Sequence, residues 1–296
     1  MDRAADFLAY LKVERRLSPH TVEAYRSDLE QFRHFLGETF QVPDFPEAEY
    51  RHVRQWVAQL LSEGVSPRSV RRKLSALKTF YRFLEREKAI LHNPMDKITA
   101  PKMSRRLPSF VTESQMEQLL QAGEEDCTSF EEIRDAMIME SFYALGLRLS
   151  ELIGLRCRDV DTGRLQVRVL GKGGKVRLLP FAPAFGERLQ AYMAAREAAF
   201  DSARPDAFLF VTDKGSPLYP MLVYRLVRRW LEPAAVARKS PHVLRHTFAT
   251  HLLDEGADLN AIKELLGHAN LSATQVYTHT SVAKLKEVYH QAHPRE

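Results

Sequence analysis

Cysteine is nearly missing from this chain of 296 residues: there are two, Cys127 and Cys157. That is too few for a disulfide-stapled scaffold, their spacing is not that of metal ligands, and the usage suits the reducing cytoplasm. No apolar run approaches the roughly 20 residues that cross a bilayer, and no secretory signal opens the chain, so no membrane insertion is expected. The G-x-x-x-x-G-K-[ST] loop is absent, and with it the usual phosphate cradle for ATP. His242 and His246 stand four apart, but no carboxylate lies at the H-E-x-x-H spacing that would complete a metal site. The expectation is therefore an enzyme or binding protein without cofactor or metal.

What is present begins with length. At 296 residues and 45% hydrophobic composition, the chain has material for two separate cores. The net charge of +5 is unevenly placed: residues 1–108 hold 20 Lys and Arg against 14 Asp and Glu, while 109–296 hold 23 against 24. A basic first third suits a polyanion lying against it, and equally suits a solvated surface. Prolines at 94, 101 and 108, with the basic run K-M-S-R-R, mark a break in helical pattern. The expected organisation is a helical domain over 1–90, a linker over 91–109 and a second domain over 110–296.

Four helices are predicted in the first domain. The first runs from Asp2 to Leu17 with Phe7, Leu8, Leu11 and Val13 inward. Ser18-Pro19 and Ser66-Pro67 are serine caps followed by proline at the first helical position. The helix after Ser18 sets Val22, Tyr25, Leu29, Phe32 and Leu36 on one stripe, and the third carries Val53, Trp56, Val57, Leu60 and Leu61. The fourth buries Val70, Leu74, Leu77, Tyr81 and Leu84, leaving Arg68, Arg71, Arg72, Lys78 and Arg82 on the opposite face. That face is the candidate DNA surface, since a helix fits a major groove and its cations reach phosphates and guanine edges. A solvated face reads the same way by charge alone.

In the second domain Thr112 and Gln115 form a capping-box pattern. A helix over about Glu131 to Leu145 breaks at Gly146 to give G-L-R-L-S-E-L, in which Ser150 caps another short helix. Arg148 thus sits at a junction between apolar helices, where a charge needs a partner: an anionic ligand, Glu151, or water. L-Q-V-R-V-L, G-K-G-G and K-V-R-L-L-P read as a β-hairpin with Lys172 at its tip. Helices are predicted over Pro183 to Phe200 and Tyr219 to Leu231. Pro241 opens a helix that buries Leu244, Phe248, Leu252 and Leu253, and His242 and Arg245 project from one side of its first turn. For His246, weighed as a metal ligand with His242 and His251, a buried core histidine is the plain alternative. A short helix around Leu259 to Leu266 stops at Gly267 and presents His268, and Tyr277 follows after a polar turn.

The series G-L-R-L-S-E-L, G-K-G-G-K, H-V-L-R-H, L-L-G-H and V-Y-T-H resembles, in order and interval, the signature of the tyrosine recombinases, the phage integrase family, Xer type. The resemblance implies a mainly α fold with a small antiparallel β-sheet: an N-terminal four-helix, SAM-like, DNA-binding domain and a C-terminal catalytic domain. It implies that Arg148 and Arg245 clamp a scissile phosphate, with His268 and His242 adding hydrogen bonds and proton transfer. Lys172 would protonate the departing 5′ oxygen, and Tyr277 would be the nucleophile. Such enzymes cut and rejoin DNA without ATP or metal and resolve chromosome dimers at cell division. The implied partners are double-stranded DNA at a dif-like site, a paralogous Xer recombinase in a cyclic tetramer, and an FtsK-type DNA translocase. The apolar positions of 281–290 suit a helix docking on a neighbouring protomer or folding back in cis. A mobile-element integrase is the nearer alternative, although no arm-binding extension is visible, and a non-catalytic DNA-binding protein is the more distant one.

Overall fold

The first unit of the chain, Met1–Arg106, is built on α1 (Arg3–Val13), α2 (Pro19–Phe40), α3 (Tyr50–Ser62) and α4 (Pro67–Arg86). The structure is a computed structural model that describes residues 2–102, 110–125, 129–171, 174–200, 206–234 and 236–267. Both serine caps form: Ser18 Oγ accepts from the Thr21 amide at 3.3 Å and Ser66 Oγ from the Ser69 amide at 3.2 Å. Each supplies an acceptor for an amide that the helix leaves unpaired, and the following proline needs no such partner.

The stripes meet in one core. Phe80, absent from the sequence expectation, sits at its centre with its ring edge-on to Phe7 at 5.1 Å and to Phe45 at 4.8 Å. Tyr81 is buried and donates its hydroxyl to the Phe45 carbonyl at 3.1 Å. Val13 and Leu61 are exposed, contrary to expectation, Val13 by 71%. Val13 is two residues past Leu11 and Leu61 one past Leu60, offsets that turn a helical side chain away from the face its neighbour buries. The segment expected to open a linker also differs. Met95 is buried in this core, and Ile98 and Ala100 pack against it. Arg71 Nη1 donates to the Pro101 carbonyl at 3.3 Å, so residues 91–101 lie along the first unit.

The second unit, Leu107–Glu296, holds α5 (Glu113–Glu125), α6 (Phe130–Leu145), α7 (Leu149–Gly154), β1 (Val160–Asp161), β2 (Gln166–Leu170), β3 (Val176–Pro180), α8 (Pro183–Phe200), α9 (Pro220–Trp230), α10 (Pro241–Asp254) and α11 (Leu259–Leu266). Every residue of α6 from Met137 to Leu145 is buried, as expected of a helix enclosed by α5, α8 and α10. The strands form an antiparallel sheet in the order β1-β2-β3; β1 is too short to have registered as a sequence pattern. Register places Val167 opposite Leu179 and Val169 opposite Arg177, all four buried. The mostly helical architecture with a small antiparallel sheet is the fold expected.

Three expectations are corrected here. Ser150 lies inside α7 rather than capping it; the cap position is Arg148, whose amide donates to Glu151 Oε2 at 2.8 Å. Leu253 is exposed, one residue beyond the buried Leu252. The histidine of α10 that enters the core is His251, not the half-buried His246. His251 Nε2 lies 2.9 Å from the Val111 carbonyl and Nδ1 lies 3.0 Å from the Tyr143 hydroxyl. A carbonyl only accepts, so in the neutral ring Nε2 carries the proton and Nδ1 accepts from Tyr143. The Val111 amide donates to Thr247 Oγ1 at 3.0 Å, so both backbone groups of Val111 are held by α10.

Candidate active site

Gly146 ends α6 in the left-handed conformation, φ 56°, which the lack of a Cβ makes easy. A Cβ there would also meet the Phe248 ring at 2.4 Å. This turn brings Arg148 to the start of α7, one turn before Glu151. Pro241 opens α10 after Ser240 and places His242, exposed, and Arg245, 8% exposed, in the first turn and a half.

The three arginines of the site converge on one carboxylate. Glu151, buried, receives Arg177 bidentately, Nη1 to Oε1 at 2.9 Å and Nη2 to Oε2 at 2.8 Å. Arg148 Nη1 donates to Oε1 at 2.7 Å, and Arg245 Nη1 lies 3.8 Å from Oε2. The same guanidiniums take up the end of α11. Arg177 Nε donates to the Leu265 carbonyl at 2.9 Å, Arg245 Nη2 to the Leu266 carbonyl, and Arg148 Nη2 to the Gly267 carbonyl at 3.0 Å. The last carbonyls of a helix have no partner within it and carry the negative end of its dipole, so cations are the natural cap. Gly267 closes the helix at φ 63°.

One carboxylate against three guanidiniums leaves an excess of two positive charges. Burial would push the Glu151 carboxyl upward, but the hydrogen bonds from Arg177 and Arg148 outweigh it and hold the pKa down to about 2. Arg245 is pulled the other way, to about 10, by its own burial and then by the charge of Arg148, with Glu151 only partly compensating. Arg245 is still a cation at neutral pH, with a deficit of negative company. Arg148, 30% exposed on its side chain, is the member open to solvent. The arrangement suits an oxyanion such as a phosphate, which two guanidiniums bind through paired hydrogen bonds.

The structure thus brings together Arg148 and Arg245, with His242 on the same helix start. Lys172, His268, Tyr277, the segment 281–290 and the linker residues 103–109 lie outside the described residues. Sequence reasoning named Glu151 only as one possible partner of Arg148 and did not single out Arg177. The signal for Arg177 was the phase of its strand: buried β2 residues Val167 and Val169 pair with Leu179 and Arg177, so an arginine falls on the inward side. Among the described residues no group of three metal-ligating side chains occurs.

In the first unit, Arg68, Arg71, Arg72 and Lys78 all lie exposed on α4. Arg72 is nevertheless bound to Asp28, 0% exposed, through both carboxylate oxygens, with Nη2 to Oδ1 at 2.8 Å. The buried Lys73 reaches the same Oδ1 at 3.1 Å.

Residues 109–284 match the family model "Phage integrase family", and residues 4–88 match "Phage integrase, N-terminal SAM-like domain". The chain belongs to the phage integrase family. Similar proteins include the tyrosine recombinase XerC of Halalkalibacterium halodurans, 42% identical over 98% of this chain and 96% of that one. The tyrosine recombinase XerC of Bacillus subtilis is 38% identical over 98% and 95%, and that of Chlorobaculum tepidum 39% over 98% and 94%. Among solved structures, the XerH site-specific recombinase bound to a palindromic difH substrate superposes with a TM-score of 0.72. It is 22% identical, over 96% of this chain and 83% of that one, a likeness of fold. This integrase-family chain is a site-specific tyrosine recombinase with an N-terminal SAM-like and a C-terminal catalytic domain. Among the described residues no helix is long and apolar enough to cross a membrane.

Proposed function

We propose that this recombinase cuts and rejoins duplex DNA through a 3′-phosphotyrosine on Tyr277. The observation that carries the reading is the pair Arg148 and Arg245 held on one buried carboxylate with net positive charge to spare. Phosphoryl transfer spreads negative charge over the non-bridging oxygens, and fixed guanidiniums stabilise it in place of a metal. His242 takes the proton as the Tyr277 oxygen attacks phosphorus. The bond to the 5′ oxygen breaks, and Lys172 protonates that leaving group. His268 adds a hydrogen bond to the phosphate. A diester is exchanged for a diester, so a second 5′ hydroxyl reverses the step without ATP.

The first unit, with α4 foremost, holds the duplex, in this reading with Arg68, Arg71, Arg72 and Lys78 against it. The second carries the chemistry. The biological role is resolution of chromosome dimers in the cytoplasm at a dif-like site. A paralogous Xer recombinase would complete a cyclic tetramer, with 281–290 docking between protomers, and an FtsK-type translocase would regulate it. The relatives' names and the nearly full-length similarity support this.

The test is a nicked duplex carrying the site that the full chain selects from a random-sequence pool. The nick lets a short fragment leave and traps any covalent product. A denaturation-resistant protein–DNA product is expected without metal or nucleotide, absent in Tyr277→Phe. Its rate should fall by about 10²- to 10³-fold in Arg148→Ala and Arg245→Ala. Specific binding with no such product would contradict the assigned chemistry.

A further inference from the structure

Arg177 is 4% exposed, and each of its side-chain nitrogens already has a partner: Nη1 and Nη2 on Glu151, Nε on the Leu265 carbonyl. Buried and engaged in this way, it is placed to act on its neighbours rather than on a substrate. Its carboxylate partner, however, is the group that holds Arg148 at 2.7 Å and lies 3.8 Å from Arg245. In a water-poor site an unshared carboxylate would draw both arginines onto itself and compete with any phosphate. A third guanidinium on the far side satisfies both oxygens of Glu151. The consecutive carbonyls of Leu265, Leu266 and Gly267 each take one of the three arginines. A Cβ on Gly267 would stand 3.4 Å from the Arg177 guanidinium, so the end of α11 is fitted closely against it.

We propose that Arg177 is a positioning residue for strand cleavage: it ties β3, α7 and the end of α11 together and shares Glu151, so that Arg148 and Arg245 are held in place with N–H groups to spare for the phosphate. The proposal rests on the functional reading above. It also makes the bidentate geometry necessary, because a lysine supplies one charge but cannot bridge two carboxylate oxygens and a carbonyl.

The experiment compares full-length wild type, Tyr277→Phe, Arg177→Lys and Arg177→Ala on the selected nicked duplex. Covalent-product rate at saturating DNA, Kd and thermal midpoint are measured for each. A folded Arg177→Lys with Kd within about threefold of wild type and a rate about 100-fold lower is the expected result. Cleavage by Arg177→Lys at close to the wild-type rate overturns the proposal, as does a loss accounted for by Kd. If the single variants do not fold, Arg177→Gln combined with Glu151→Gln removes both members of the buried pair at once and leaves the net charge of the site unchanged. That double variant should cleave slowly, and wild-type speed would refute the idea. A wild type without Tyr277-dependent product refutes the functional reading itself, and the positioning role falls with it.

Discussion

Each unit of this recombinase buries a carboxylate among cations, and the two do so to different ends. In the first, Asp28 takes Arg72 and Lys73 at the edge of a face where Arg68, Arg71, Lys78 and Arg82 stand in water. In the second, Glu151 takes Arg148, Arg177 and Arg245, two of them almost wholly buried, and the end of α11 closes round them. The first arrangement spreads positive charge over about four helical turns, where it is hydrated and screened within about 10 Å at ordinary salt. The second concentrates it at one point with fixed geometry and little water. A diffuse charge suits a long polyanion bound in many registers; a concentrated one suits a single phosphate held in line for attack.

The sharpest way to break the comparison is to remove each carboxylate. Glu151→Ala leaves three guanidiniums without a counter-charge and should destabilise the second unit by about 3 kcal/mol or more. Asp28→Ala should cost the first unit less, because it strands only the buried Lys73 while Arg72 can turn to water. Thermal or denaturant unfolding of the full chain with a probe in each unit would separate them, and equal losses would erase the distinction. Acid gives the next effect. The Glu151 carboxyl titrates near 2 when folded, against an ordinary value of 4.5. Its stabilisation is therefore complete above about pH 4.5 and is lost as pH falls toward 2. Glu151→Gln should flatten that part of the pH–stability profile, and an unchanged acid limb would show that other groups dominate.

Salt sharpens the contrast further. Arg68→Ala and Lys78→Ala should each weaken DNA binding at all sequences and lower the log–log salt slope by about one. Arg245→Ala should lower that slope by no more than either of these while slowing cleavage by about 10²- to 10³-fold. The smallest effects belong to side chains that sequence reasoning placed inward and the structure places in water. Val13→Ser and Leu253→Ser should shift stability by no more than about 0.5 kcal/mol, and a loss of several would mean that these positions are covered in the working assembly.

Much of the fold was legible because it depends on near neighbours in the chain. Ser18-Pro19, Ser66-Pro67, Thr112 with Gln115, and Pro241 each state where a helix begins through backbone hydrogen bonding within a few residues. The stripes from Val70 to Leu84 and from Leu29 to Leu36 state which face is buried through the 3.6-residue period. Motif order pointed to Arg148 and Arg245, and the structure brings the two to one carboxylate. The misplacements were also local in kind: Val13, Leu61 and Leu253 are apolar residues one or two positions off a stripe, where composition points inward and helical angle points out.

What the sequence by itself determined is therefore the set of helices, their buried faces, the hairpin and the family to which the chain belongs. Only the tertiary structure decided which charges share a partner. Arg72 and Lys73 reach Asp28 across more than 40 residues, Arg177 reaches Glu151 across 26, and Arg148 reaches the Gly267 carbonyl across 119. In α10 it is His251 rather than His246 that enters the core, because Tyr143 and Val111 face it from distant segments. A buried charge or imidazole is stable only where the folded chain delivers its counterpart, and that delivery is a property of packing that no local propensity encodes.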